Sequence, residues 1–68
     1  IASFETEKIK EIIEDLEPKY RDVVMMKYID DMSIKDIALA TGEKENNVSV
    51  RIHRGLDKLK LLLKDYNY

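Results

Sequence analysis

Apolar residues recur at helical spacing through the first half of the chain. Across about residues 6–16 they follow the i, i+3, i+4, i+7 pattern that places side chains on one face of an α-helix. Pro18 suits the first turn of a second helix, because the amide hydrogen it lacks would have no partner there, and this helix is predicted to run to about residue 29. The predicted inward positions of the two helices are Ile9, Ile12, Ile13, Leu16, Tyr20, Val23, Val24 and Met26.

Two further helices are predicted, with a glycine between them. Ser33 can cap a short third helix, and Asp36 can reach back to the Ser33 amide in a shortened capping box. Gly42 follows the last apolar turn and can take the left-handed conformation that closes a helix. The fourth helix is predicted to begin within residues 43–47 and to continue to about Asp65. The predicted inward positions here are Ile34, Ile37 and Ala38, then Val48, Ile52, Gly55, Leu59, Leu62 and Leu63.

A short helix, a tight glycine turn and a longer basic helix form a helix-turn-helix pattern. In this arrangement the short helix braces the long one, so that the first turns of the long helix protrude and fit the major groove of DNA. At 100° per residue, the face opposite the inward stripe carries side chains that can pair with base edges or touch a thymine methyl group. These side chains are Asn46, Asn47, Val50, His53, Arg54 and Asp57. The alternative is an ordinary solvated face, since tandem helices with a glycine turn also occur in proteins that bind no DNA.

Charge is distributed unevenly along the chain. The whole sequence has 12 basic and 14 acidic residues and a net charge of −2, which weakly disfavours nucleic acid as a partner. Residues 1–31 hold nine acids and five bases, whereas residues 44–64 hold six bases and two acids. A basic helix on an acidic body is compatible with an edge that faces phosphates, and a solvated lysine-rich helix would explain the same numbers.

Length and composition exclude several classes of function. Sixty-eight residues form one domain at most, and a chain that begins with Ile1 is expected to be a fragment of a longer protein. Without cysteine and with one histidine, we expect no disulfide, metal site, cofactor or catalytic triad, and hence no enzyme. No apolar run approaches the roughly 20 residues that span a membrane. A cytoplasmic location is expected, and the isolated domain is expected to be monomeric.

Three segments resemble region 4, the C-terminal DNA-binding domain, of extracytoplasmic-function (ECF) sigma factors of bacterial RNA polymerase. They are residues 17–24 (EPKYRDVV), 33–38 (SIKDIA) and 48–59 (VSVRIHRGLDKL), and they keep the order and spacing of the family. The resemblance implies an all-α domain of four helices with a C-terminal helix-turn-helix, similar to a winged helix but without the wing. It also implies binding to the promoter element centred near minus thirty-five, docking to the flap of the polymerase β subunit, and capture by an anti-sigma factor.

The resemblance also implies roles for single residues. Asn47, Ser49, Val50, His53 and Arg54 fall where family members contact bases or nearby backbone, and the helical wheel adds Asn46. Positive groups that meet phosphates correspond to Lys27, Lys35 and Arg51. So small a domain is not expected to seal all of its apolar side chains, and a contact with the flap is expected at Ile9, Ile12, Val24, Leu59 and Leu63.

Four positions depart from the family pattern. Ser49 stands where family members often carry a basic residue and Val50 where a small polar residue is common, so the promoter sequence read by a typical member is not assigned to this chain. Lys44 stands where a serine usually caps the recognition helix, so the cap is expected from another residue, with Asn46 and a shorter helix as the candidate. Gly55 stands where alanine is usual, which costs about 0.5–1 kcal/mol inside a helix unless close packing requires it.

Two other functions stay open at this point. A response-regulator output domain has a similar arrangement of four helices, although the segments 17–24 and 48–59 fit the sigma pattern better. A degenerate helix-turn-helix that binds polymerase or a regulator, but little DNA, is compatible with the acidic first half and with the missing serine cap.

Overall fold

The computed structural model describes the backbone of residues 2–65 and the side chains of residues 7–65. Four helices follow one another: α1 (Ala2–Glu14), α2 (Pro18–Tyr28), α3 (Ile34–Thr41) and α4 (Glu45–Asp65). No strand occurs among these residues, and the predicted all-α class is confirmed. The first helix begins earlier than predicted. It ends at Glu14 because the Leu16 amide donates to the Ile13 carbonyl oxygen at 3.0 Å, which forms a tighter turn.

The core consists of two apolar clusters on either side of α2. The first cluster joins α1, α2 and the later part of α4, and the second joins α2, α3 and the first turns of α4. Val24 belongs to the first cluster and its neighbour Val23 to the second, because adjacent side chains on a helix point about 100° apart. The buried residues of the first cluster are Ile12, Ile13, Leu16, Tyr20, Val24 and Leu59. Those of the second are Val23, Ile37, Ala38, Val48 and Ile52.

The closest approach of α4 to α2 occurs at Gly55. A Cβ atom at this position would lie 2.6 Å from Val24 Cγ2 and 3.2 Å from Tyr20 Cβ, both closer than ordinary carbon contacts. Gly55 is therefore the case in which close packing requires a glycine inside a helix. The departure from the usual alanine has a structural reason.

The ends of α3 are formed as the sequence predicts. The Ser33 hydroxyl accepts a hydrogen bond from the Asp36 amide at 3.0 Å. Gly42 has φ 75° and ψ 15°, and its amide donates to the Ala38 carbonyl oxygen at 2.9 Å. Within the described residues, the Ser33 amide does not donate back to the Asp36 carboxylate, so the capping box is one-sided.

The start of α4 lies within the predicted range of residues 43–47, but its cap differs from the prediction. The helix begins at Glu45, and the Val48 amide donates to the Lys44 carbonyl oxygen at 3.1 Å. Asn46 therefore lies inside the first turn, and the predicted Asn46 cap with a shorter helix is wrong. The backbone of Lys44 occupies the capping position. Its side chain contains no acceptor atom, so it cannot bond to the free amide groups in the first turn of α4.

Candidate nucleic-acid interface

The first three turns of α4 present one uncovered face. Val48 and Ile52 pack against Ile37 and Ala38 of α3, so the opposite side of α4 is directed away from the body of the domain. Among the predicted base contacts, Asn46, Asn47, His53 and Arg54 are exposed, Val50 is 40% exposed, and Ser49 is half-buried. The helical wheel therefore located the outward face, and Ser49 lies at its edge.

Arg54 is the strongest candidate on this face for contact with a base. Its guanidinium has no hydrogen bond or ion pair with any residue in the described range. The neighbouring His53 lies 3.9 Å from Asp57, measured from Nε2 to Oδ2, with both side chains largely exposed. Such an exposed contact holds the two groups only weakly. The donors of Arg54 and His53 are thus available to an incoming ligand.

Two lysines can supply positive charge near this face, and a third predicted phosphate contact, Lys27, lies on α2. Lys35 and Lys44 are exposed and line one shallow depression at the start of α4, together with the acidic residues Glu43 and Glu45. Lys27 is half-buried in the last turn of α2. Lys44 was counted among the six bases of residues 44–64 but was not predicted to contact a phosphate. Its position beside Lys35 makes it an additional candidate for phosphate contact, and the signal in the sequence was its charge at the start of a basic helix.

Arg51, which was predicted to contact a phosphate, has a guanidinium that is already bonded within the domain. Its Nε and Nη2 donate to the Lys19 carbonyl oxygen at 2.8 and 2.6 Å, and its Nη1 bonds to Glu43 Oε2. Each guanidinium nitrogen thus has an acceptor inside the chain, and the side chain is only 24% exposed. A phosphate would have to compete with these bonds.

The residues predicted to contact the polymerase flap divide into two groups. Ile12, Val24 and Leu59 lie in the core, so they do not offer the free surface that was expected of them. Ile9 is 37% exposed and Leu63 is half-buried. Because the helices close over the first three side chains, the exposed part of the predicted surface is at Ile9 and Leu63.

An apolar groove remains between α1, α2 and α4, with a volume of about 260 Å³. Tyr28, 51% exposed, and Ile9 stand at its rim, while Val24 lies at its floor. Sequence analysis missed Tyr28, although an apolar ring in the last turn of α2 was a usable signal. The lining residues of this α1–α2–α4 groove are Ile9, Ile13, Val24, Tyr28, Ile29, Leu56 and Leu59.

Other kinds of site find no support in the described part of the chain. Residues 7–65 contain no group of three or more histidine, cysteine, aspartate or glutamate side chains that could hold a metal ion. Within residues 2–65, no helix combines the length and the apolar character needed to cross a membrane.

Comparison with known proteins agrees with the helix-turn-helix geometry. The family described as sigma-70, region 4, matches residues 6–59. The chain is 39% identical over 57 residues to the ECF RNA polymerase sigma factor SigW of Bacillus subtilis (strain 168), covering 84% of this chain and 30% of that protein. It is 27% identical over 55 residues to the RNA polymerase sigma factor SigV of the same organism, covering 81% of this chain and 33% of the relative. The chain thus spans about a third of the length of these curated relatives. No solved structure matches it.

Proposed function

Because the chain belongs to the sigma-70 region 4 family, we propose that it recognises the promoter element centred near minus thirty-five through the first turns of α4. Region 4 is a non-enzymatic, DNA-binding part of transcription initiation factors, so the function is one of binding. The observation that carries the proposal is the uncovered face of α4, which lies opposite side chains buried against α3.

The side chains on that face have the chemistry of base recognition. Arg54 can donate two hydrogen bonds to a guanine edge, Asn46 and Asn47 can pair with adenine, and Val50 can contact a thymine methyl group. His53 lies beside Arg54 and can donate to a base or to the nearby backbone. Ser49, at the edge of the face, can reach a base or the nearby DNA backbone. Specificity then depends on the residues of α4 that precede Gly55.

Backbone contacts would come from the cations around this face. Lys27, Lys35 and Lys44 are the candidates for phosphate contact, because Arg51 is bonded within the domain. The net charge of −2 implies weak binding by the domain alone and a steep loss of affinity with salt. Polymerase would overcome this weakness by holding the domain at a high local concentration beside the promoter.

The polymerase contact is proposed at the α1–α2–α4 groove. Its apolar lining and the exposed rim residues Ile9 and Tyr28 suit an apolar helix or loop, such as the flap of the β subunit. Leu63 extends the apolar surface along α4. An anti-sigma factor that covered the same groove would compete with polymerase. These partners place the domain at the bacterial chromosome, in the cytoplasm.

The test is amide-shift mapping of this chain during titration with a promoter duplex at low salt. We expect shifts within residues 33–54, and we expect Arg54→Ala to weaken binding far more than Lys60→Ala. Lys60 is an exposed cation on the same helix, so the pair compares the same change of charge at two positions.

Two results would favour other functions. Shifts confined to residues outside 33–54, or no shifts at all, would reject groove binding and favour an adaptor that binds only proteins. A response-regulator output domain, the other alternative, is disfavoured by the family match over residues 6–59.

A further inference from the structure

We propose that Arg51 is a positioning residue that fixes the direction of α4 across α2, and that it is not a phosphate ligand. Its Nε and Nη2 bond to the Lys19 carbonyl oxygen in the first turn of α2, and its Nη1 bonds to Glu43 in the turn before α4. A single side chain of α4 thereby joins three parts of the chain. We call this set of bonds the Arg51 bridge.

The position of the Arg51 bridge along α4 allows it to control the angle of the helix. Gly55, where α4 approaches α2 most closely, lies one helical turn after Arg51, or about 6 Å along the axis. The Arg51 bridge and the Gly55 contact together fix the direction of α4 relative to α2. The Gly55 contact alone would allow α4 to pivot around it. A pivot of about 10° around Gly55 would move Asn46, about 13 Å away along the axis, sideways by about 2 Å. Hydrogen bonds to bases tolerate only a few tenths of an ångström, so such a pivot would break them.

The apolar contacts of α4 do not replace the bridge. Val48 and Ile52 attach α4 to the second cluster, but burial of apolar surface is non-directional. The guanidinium is a rigid planar fork that bonds along fixed directions. It is therefore suited to setting the angle at which Asn46, Asn47 and Arg54 leave the domain.

Glu43 separates the two possible roles of Arg51. If Arg51 held a phosphate, the Glu43 carboxylate would compete with DNA, and Glu43→Gln would strengthen binding. If Arg51 positions α4, Glu43 is part of the bridge, and the same substitution would weaken binding although it removes a negative charge. The two roles thus predict opposite signs for one substitution.

The first experiment needs no DNA and does not rest on the proposed function. Backbone residual dipolar couplings are measured for this chain and for Arg51→Gln and Glu43→Gln, with circular dichroism melts to verify folding. We expect α2 and α4 each to remain a regular helix while the angle between them changes or becomes dispersed in both variants. Couplings that fit the parent orientation in both variants would overturn the proposal. If Arg51→Gln fails to fold, Arg51→Lys, which keeps the positive charge but lacks the planar fork, decides in its place.

The second experiment rests on the proposed function. The parent chain enriches a duplex from a random 30-base-pair library, and the dissociation constants of the variants for that duplex are measured over a series of salt concentrations. We expect both variants to lose about tenfold in affinity with the salt dependence of the parent. Lys35→Ala, the control for a phosphate contact, should reduce the slope of log K against log [salt] by about 1.

The results distinguish a failure of the Arg51 proposal from a failure of the proposed DNA-binding function. A slope reduced by about 1 in Arg51→Gln, with tighter binding by Glu43→Gln, would make Arg51 a phosphate ligand and overturn the inference. If the parent enriches no duplex, the proposed DNA function fails, while the dipolar couplings still decide the role of Arg51.

Discussion

Gly55→Ala is expected to destabilise the domain, although alanine is the better helix former. In an exposed helix the substitution would gain about 1 kcal/mol from helix propensity. Here the added methyl group would lie 2.6 Å from Val24 Cγ2, about 1 Å inside the normal carbon contact distance. Val24 is fully buried and has a β-branched, stiff side chain, so it has little room to move.

The expected loss of stability is the cost of overpacking minus the gain in helix propensity. Overpacking of this kind costs about 1–3 kcal/mol, so the net loss after the propensity gain is about 1 kcal/mol. For a domain of this size, a loss of that order lowers Tm by about 4–8 °C. Urea denaturation followed by circular dichroism at 222 nm gives the free energy of unfolding directly.

A double-mutant cycle with Val24→Ala isolates the contact. Val24→Ala removes the Cγ2 atom that the new methyl group would meet, so Gly55→Ala in that background should be stabilising or neutral. All four proteins are compared in one concentration of a stabilising osmolyte, because Val24→Ala alone leaves a cavity in the first cluster. A Gly55→Ala protein about 1 kcal/mol more stable than the parent would refute the reasoning, as would equal effects in the two backgrounds.

Three further predictions concern the turn, the DNA face and the groove. Gly42→Val should cost about 1–2 kcal/mol because φ 75° is strained for a β-branched residue, and thermal melts equal to those of the parent would mean that the turn tolerates it. Arg54→Ala should lose about 1–3 kcal/mol of binding and relax preference at one base pair, whereas Lys35→Ala should weaken all duplexes alike; selection from a random library measures both. Ile9→Asp should reduce pull-down of a β-flap fragment while leaving DNA affinity unchanged, and equal capture of parent and variant would locate the contact elsewhere.

The features predicted correctly from sequence depend on near neighbours along the chain. Ser33 caps a helix through an amide three residues away, and Gly42 closes one through a carbonyl four residues away. Helical spacing also located the outward face of α4. Such features need only local geometry, which the residue types themselves determine.

The features that sequence analysis missed depend on distant partners. Arg51 bonds to a carbonyl oxygen 32 positions away, and a backbone acceptor leaves no trace in the residue type of Lys19. The reason for Gly55 is a contact with Val24, which only the packing of two helices reveals. Burial of Ile12 was underestimated for the same reason. Packing between helices, rather than periodicity within one, decided these positions.

The place of α2 between two clusters determines how the domain opens. Its adjacent residues Val23 and Val24 belong to different clusters, whereas the buried side chains of α1 within residues 7–14 belong to the first cluster alone. Detachment of α1 therefore exposes one side of α2 and leaves the second cluster, with α3 and the first turns of α4, intact. Amide hydrogen exchange should follow this order, fastest in α1 and slowest in α2. The helix-turn-helix thus belongs to the part of the domain that opens last.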